Sequence, residues 1–402
     1  DAILPLSGED GASGRTFLEG LKSGMKSGSA GKVELQIIAL DNEGDPLKTI
    51  ALCHQALLNP TLDLIIGPLN ESNATLAANT LSGKDISLVI PQAVTGGLAR
   101  LGSNILQLNG DLASRGRAAA RYARLVVGLN SMAVLAPADQ FGRPIVEAFI
   151  DEYEYLGGEI LIQEWYSGKP ENLRRQFLAI RKKAWELEAE ETKYDEFLGM
   201  EIDSLEGLFD ISDETFFDLP ETGEKTLSPS DSNKVELNTI PGLFMPIHEE
   251  DVSFIGTQFP LYNLNTVIIG NEGWHNLDVL NQDIVGPHIQ GLTTIAPFNT
   301  EITPDRELAA IEKDRRSDFI TGKNLSRFLL TICPDTIPDR TLIRNTIAGL
   351  SEIRSGDMTY WFTGVNEHLN QAYHVYQYRG KQFVDRGVLI NDSLRTIPPL
   401  TP

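Results

Sequence analysis

Sulfur is scarce in this chain: 402 residues hold two cysteines and five methionines. Cys53 and Cys333 lie far apart, with no Cys-x-x-Cys or His-rich spacing, so neither a disulfide framework nor a structural zinc site is encoded. Each reads as a buried thiol. No uninterrupted apolar run approaches the roughly 18 residues of a membrane span, although 41% of residues are hydrophobic and a sizeable core can form. Positive charge is also short. Thirty-four Lys and Arg stand against 56 Asp and Glu, a net charge of −22, and such a balance repels nucleic-acid phosphates and anionic lipid. Catalytic signatures are missing too: there is no Gly-x-Ser-x-Gly elbow, no His-Glu-x-x-His, and no metal-like spacing among the six His. A non-enzymatic chain without metal or cofactor is expected. No start Met or basic segment precedes Asp1-Ala-Ile-Leu-Pro, which reads as a mature or trimmed chain whose signal peptide or anchor lies outside the sequence in view.

What is present is alternation. At roughly 150 residues per domain the length allows two or three units. Ala2 to Leu6, Val33 to Leu40, Leu62 to Ile66 and Ile86 to Ile90 are short and rich in Ile, Leu and Val, as strands buried on both faces should be. Amphipathic stretches separate them, one starting near Gly14, one after Asp45-Pro46 with Pro at the first helical position, and one near Ser72. This order predicts βα units on a parallel sheet. After Asn109-Gly110-Asp111 it restarts with a helix over Ser114 to Leu125, a strand Met132 to Leu135, a helix Pro144 to Leu156 and a strand Glu159 to Trp165, so a second α/β lobe is expected from about residue 114. A helix over Asn172 to Trp185 leads into Glu186 to Glu236, where 17 acidic residues face three Lys. That segment reads as a solvated insertion or an arm for a basic partner. Alternation resumes with strand Gly242 to Ile247, helix Glu249 to Leu261, strand Thr266 to Ile269, strand Gly291 to Ala296 and a helix from Pro304 through Phe319. The tail, through Tyr360 to Gly364, Ala372 to Tyr378 and Gln382 to Ile390, predicts a β-meander or hairpin.

In open α/β sheets ligands bind beyond the carboxyl ends of strands, where helix N-termini offer free N–H groups. The loop Ser7 to Thr16 is glycine-rich and carries hydroxyls, Ser13 among them. It lacks the Gly-Lys-Ser/Thr ending of a phosphate loop, and its acids would repel a triphosphate. Asn70 and Ser72 start a helix, and either capping or ligand contact explains them. Gln92, Ala93 and Thr95, in Pro91-Gln92-Ala93-Val94-Thr95-Gly96-Gly97, put polar and small groups where a ligand can approach. In the second lobe Phe141 follows a strand and Ile247 ends one. Glu272 beside Trp274 reads as an ammonium partner through ion pairing and cation–π attraction, or as a surface acid next to a packing indole.

The order of Leu4-Pro5-Leu6-Ser7-Gly8, Asp41-Asn42-Glu43-Gly44-Asp45-Pro46, Ile66-Gly67-Pro68, Val89-Ile90-Pro91-Gln92-Ala93, Phe141-Gly142, Gly157-Gly158 and Gly270-Asn271-Glu272-Gly273 resembles the type I periplasmic-binding-protein family, in particular its branched-chain amino-acid receptors for ABC transporters. The resemblance implies an α/β fold of two Rossmann-like lobes joined by three crossovers. Residues 1–113 and 298–363 would form the N-terminal lobe, 114–297 and 364–402 the C-terminal lobe, and 186–236 an acidic insertion within the latter. It further implies that Glu272 pairs with a ligand α-amino group, that Ser72 or the backbone beside it, with Ala93 and Thr95, holds an α-carboxylate, and that Phe141 stands where the family has Tyr. The chain departs from the pattern at Asn70-Glu71-Ser72-Asn73, whose acid opposes a carboxylate, in the acidic insertion, and at Gly322-Lys323-Asn324-Leu325. The implied function is extracytoplasmic capture of a small polar ligand, an amino acid or amide, for an ABC permease or sensor. The alternative is an envelope interaction protein with a vestigial cleft, as in the lipoproteins that activate penicillin-binding proteins.

Overall fold

The computed structural model describes residues 1–28, 36–188, 235–302, 306–332, 339–355, 358–364 and 367–396. Cys333 and residues 189–234 of the expected acidic insertion lie outside them.

Two eight-stranded sheets organise the molecule. The first contains β1 (Ala2–Leu4), β2 (Ala39–Asp41), β3 (Leu64–Ile66), β4 (Ser87–Ile90) and β5 (Ile105–Gln107), with β11 (Glu352–Ser355), β12 (Met358–Gly364) and β13 (Glu367–Asn370), in the order β11-β12-β13-β5-β4-β3-β1-β2. Its first five strands run parallel, with Ile3 opposite Leu40, Ile66 opposite Val89 and Val89 opposite Leu106. β1 and β4 are buried throughout, because α2 (Pro46–Leu58) and α3 (Glu71–Leu81) cover one face while α1 (Gly11–Gly28) covers the other. Strands covered on both sides carry aliphatic residues without alternation. The helices start where the caps dictate. The Asp45 side chain accepts from Lys48 N–H ahead of Pro46, and Asn70 accepts from Asn73 N–H, each satisfying an orphan donor of the first turn.

The second sheet has the order β16-β15-β14-β10-β9-β8-β6-β7. It comprises β6 (Ser131–Pro137), β7 (Glu159–Tyr166), β8 (Gly242–Phe244), β9 (Val267–Gly270), β10 (Thr293–Ala296), β14 (Ala372–Arg379), β15 (Gln382–Ile390) and β16 (Ser393–Arg395). β6 to β10 are parallel and the last three form an antiparallel meander. α4 (Leu112–Arg121), which runs on into a π-helical turn, and α5 (Gly142–Tyr155) cover one face, while residues 174–188, α6, and α7 (Val252–Gln258) lie on the other.

Two boundaries differ from expectation. The helix expected from Pro304 begins only at Arg316, after two 3₁₀ turns, and runs to Ile332. Residues 306–315 offer only Leu308, Ile311 and two alanines between charges, whereas Phe319, Ile320, Leu325, Phe328 and Leu329 supply the buried stripe a helix needs. After α8 (Leu277–Leu280), this helix is α9, and Arg340–Ala348 is α10. The last passage between sheets falls after Asn370 instead of after residue 363, because β13 still pairs with β5.

Candidate functional site

The chain crosses between the sheets three times, after β5, after β10 and after β13, and the three connections meet around one cavity of about 380 Å³. Leu108 and Asn109 come from the first connection, Pro297, Phe298 and Thr300 from the second, and Asn370 from the third. Pro91 and Gln92 enter from the end of β4, Arg115 from α4, and Glu249, Glu272 and His275 from loops of the second lobe. Ser317, Asp318, Thr321, Asn324 and Leu325 of α9 and Met358 and Tyr360 of β12 complete the wall. The cavity thus sits at carboxyl ends of parallel strands, where an open α/β sheet leaves a crevice.

Hydrogen bonds tie its walls together. The Asn370 amide donates to Leu108 C=O at 3.0 Å, joining the third connection to the first. Gln92 donates to Asp318 Oδ1 at 2.8 Å, and its own C=O accepts from the Asn109 amide at 2.7 Å. Arg115 donates to Asn109 Oδ1 at 2.7 Å, to Gly110 C=O at 3.1 Å and to Glu272 Oε1. One chain of bonds therefore runs from α9 of the first lobe to Glu272 of the second. Burial pushes the Asp318 carboxyl above its ordinary value, against hydrogen bonds from Ser13 and Gln92 that favour the ionised form. Glu249 is also raised, by burial first and by its neighbour Glu250 next. His275 is buried, and burial lowers it to about 3, so its ring is neutral, with Nε2 at 2.7 Å from the Thr294 hydroxyl.

Glycines set the position of Asp318. A Cβ on Gly20 would stand 2.0 Å from Phe319 O, and one on Gly322 would stand 2.1 Å from Phe17 O. α1 and α9 consequently pack backbone against backbone, which brings Ser13, in the first turn of α1, against Asp318 in the first turn of α9.

Of the residues singled out in the sequence, Gln92 and Glu272 line the cavity, and Ser13 reaches it through Asp318. The others do not line it. Asn70 is spent on capping α3, and Ser72 is exposed on that helix. Ala93 is buried, its C=O accepting from the Gln107 amide. Val94 N–H, Thr95 N–H and the Thr95 hydroxyl all donate to the Glu71 carboxylate, the backbone pair at 2.8 and 3.0 Å. Phe141 packs on the His248 ring, centroids 4.7 Å apart. Ile247 is buried, with its N–H and C=O bracketing the Asn271 side chain. Trp274 is a core residue, fully buried, its indole N–H on Met245 C=O at 2.9 Å and its ring in the space left by Gly270. Sequence reading missed Asp318, Arg115, Glu249 and Tyr360. Arg115 and Glu249 stood at helix starts next to expected loops, but Asp318 and Tyr360 carry no local signal.

Comparison with known proteins agrees with this architecture. Residues 2–186 match the family model described as periplasmic binding protein, and no curated protein matches the chain by sequence. Among solved structures, a Rhodospirillum rubrum protein assigned as a branched-chain amino acid ABC transporter is similar with TM-score 0.70 at 14% identity, over 95% of this chain and 97% of its own. A branched-chain amino acid transporter substrate binding protein from Streptococcus pneumoniae, in complex with isoleucine, gives 0.55 at 11% identity, covering 96% and 97%. A solute binding protein of an ABC transporter from R. palustris, in complex with benzoate, gives 0.55 at 14%, covering 96% and 94%. The chain carries the periplasmic binding protein sequence pattern over residues 2–186 and, across both lobes, the type I periplasmic-binding-protein fold.

Proposed function

We propose that the protein is an extracytoplasmic solute-binding protein that captures a small polar, nitrogen-bearing ligand in the inter-lobe cavity and presents it to an ABC permease or a sensor. Its role is binding, not catalysis. The observation that supports this most is the cavity itself, which draws its wall from both lobes and from all three connections, so a ligand there touches every element that a hinge motion displaces. Among the described residues no helix is long and apolar enough to cross a membrane. The alternative, an envelope interaction protein with an unused cleft, draws support from Glu71, which occupies the loop donors expected to hold a ligand carboxylate. A thermal-shift screen of amino acids, amides, amines and aromatic acids separates the two. A ligand at 100 times its Kd adds about 2.7 kcal/mol to native stability, and at least one compound class should raise the melting temperature. A flat response across the whole panel would leave the interaction role.

A further inference from the structure

The cavity's charges are one-sided. Among the described residues, Glu249, Glu272 and Asp318 face it against Arg115 alone, and the neutral His275 adds nothing. Arg115 is already committed to Glu272, Asn109 and Gly110, so no cation of the wall is free to receive an acidic ligand. Asp318 and Glu249 make no ion pair among the described residues. Asp318 is also held in place, one oxygen by Gln92 and the other by Ser13, so it is an oriented acceptor with lone pairs left over. Tyr360 adds an independent sign that a ligand belongs here. It lines the cavity at 4% exposure, and among the described residues its hydroxyl makes no hydrogen bond, while Glu272 Oε2 on the same wall is a buried oxygen without a hydrogen-bond partner, a state that buried polar groups seldom keep. Leu108, Phe298, Leu325 and Met358 make part of the wall apolar and suit an alkyl body, beside the uncharged polar Thr300, Ser317, Thr321 and Asn324. No three His, Cys, Asp or Glu groups among the described residues come together to hold a metal ion.

The loop that follows Gln92 lies off the cavity wall. Its best anion donors, Val94 N–H, Thr95 N–H and the Thr95 hydroxyl, are filled by the chain's own Glu71 carboxylate.

Resting on the solute-binding reading above, we propose that the cavity takes a small alkyl amine that carries no carboxylate, its ammonium held by Asp318 and by the Tyr360 hydroxyl. The net charge of −22 steers such a cation toward the protein.

Calorimetric titration of the whole chain with n-butylamine and 1,4-diaminobutane, set against isoleucine and benzoate, tests this. The amines should bind and the two acids should not. Asp318→Asn, which keeps the side chain's shape, should weaken the amine at least tenfold, and Tyr360→Phe should weaken it several-fold while both variants melt cooperatively. Should Asp318→Asn unfold, Asp318→Glu serves in its place and should also weaken binding, since the longer side chain displaces the carboxylate. Binding of isoleucine or benzoate by the native chain, with amines silent, would overturn the amine assignment and leave the solute-binding role standing. Silence from all four compounds on folded protein would overturn the amine assignment, and the solute-binding role would fall with it only if the wider panel of amino acids, amides and aromatic acids were flat too. Amine binding indifferent to Asp318 and Tyr360 would place it elsewhere and refute the site.

Discussion

Replacing Gly322 by alanine sets two opposed effects against each other at the contact that aims Asp318. Alanine is the better helix former by about 1 kcal/mol, and in an exposed helix the change would stabilise. Here the new methyl would lie 2.1 Å from Phe17 O and 2.9 Å from Leu21 N. Both are backbone atoms of α1, so no side chain can rotate away. Restoring ordinary contact near 3.4 Å requires the helices to separate by roughly 1 Å, and Gly20, whose own Cβ position lies 2.0 Å from Phe319 O, marks the same close approach from the other side. Interiors are packed too densely to absorb that. Overpacking costs about 1–3 kcal/mol and the separated helices also lose contacts, so the steric term wins and a net loss of about 1–2 kcal/mol is expected. At roughly 2–4 °C per kcal/mol for a unit of this size, the melting temperature should fall by about 2–8 °C. Gly349→Ala is the control: its nearest neighbour would be Asn345 O at 3.6 Å and the melt should scarcely move. Differential scanning calorimetry decides the matter. A Gly322→Ala protein as stable as the native one would refute the backbone-to-backbone account of how α9 is placed.

Two further changes probe buried polar groups. Unfolded His275 takes up a proton below about pH 6.5, whereas the native ring stays neutral down to about pH 3. Its contribution is therefore complete above pH 6.5 and is lost as pH falls toward 3, on the order of 3–5 kcal/mol over the window. His275→Gln should flatten that limb of stability against pH in urea titrations, and an unchanged slope would contradict the assignment. Tyr166 donates to Asp251 Oδ2 at 2.9 Å, and both are buried. Tyr166→Phe strands that carboxylate at a cost of about 1–3 kcal/mol, to be read as a lower urea midpoint at unchanged slope. A midpoint equal to the native one would mean that water replaces the hydroxyl.

The two-lobe fold was legible because its signals are local. Aliphatic runs such as Ser87–Ile90, Asp45 ahead of Pro46 and Gly157 at φ 78° after α5 each act within a few residues, and their order carries the topology. The tail meander was legible for the same reason, through Arg379-Gly380 between two β-branched and aromatic runs. The cavity was not. It is assembled where three connections converge, from Gln92, Arg115, Glu272, Asp318, Tyr360 and Asn370, which span 279 positions of sequence, and nothing near Asp318 or Tyr360 tells them from other helix and strand residues. Loop composition pointed instead to Thr95, Phe141 and Trp274, polar or aromatic groups beside glycine. Each meets a demand closer to home: Thr95 binds Glu71, Phe141 packs at a tilt against His248, and Trp274 fills the gap beside Gly270.

The place of the cavity bears on how occupancy could be communicated. Apart from packing, the described residues join the lobes through the three connections, through the bond chain Asp318–Gln92–Asn109–Arg115–Glu272, and through the ion pairs Lys313–Asp278 and Arg395–Glu352. A ligand lying between Asp318 and the second-lobe wall at Glu249 and His275 spans the same gap as that chain and contacts the covalent links themselves. Such a ligand shifts an open-to-closed balance only by its difference in affinity for the two forms, and a hundredfold difference supplies about 2.8 kcal/mol. The resident hydrogen bonds set what this must work against. Asn370 already fixes the third connection to the first through Leu108, so the connections move together, and closure has to re-form the Asn109–Arg115–Glu272 contacts with little loss for the ligand's own contribution to decide the outcome. Removing the Arg115 link would then change the resting balance without touching Asp318, which separates the hinge's energetics from ligand recognition.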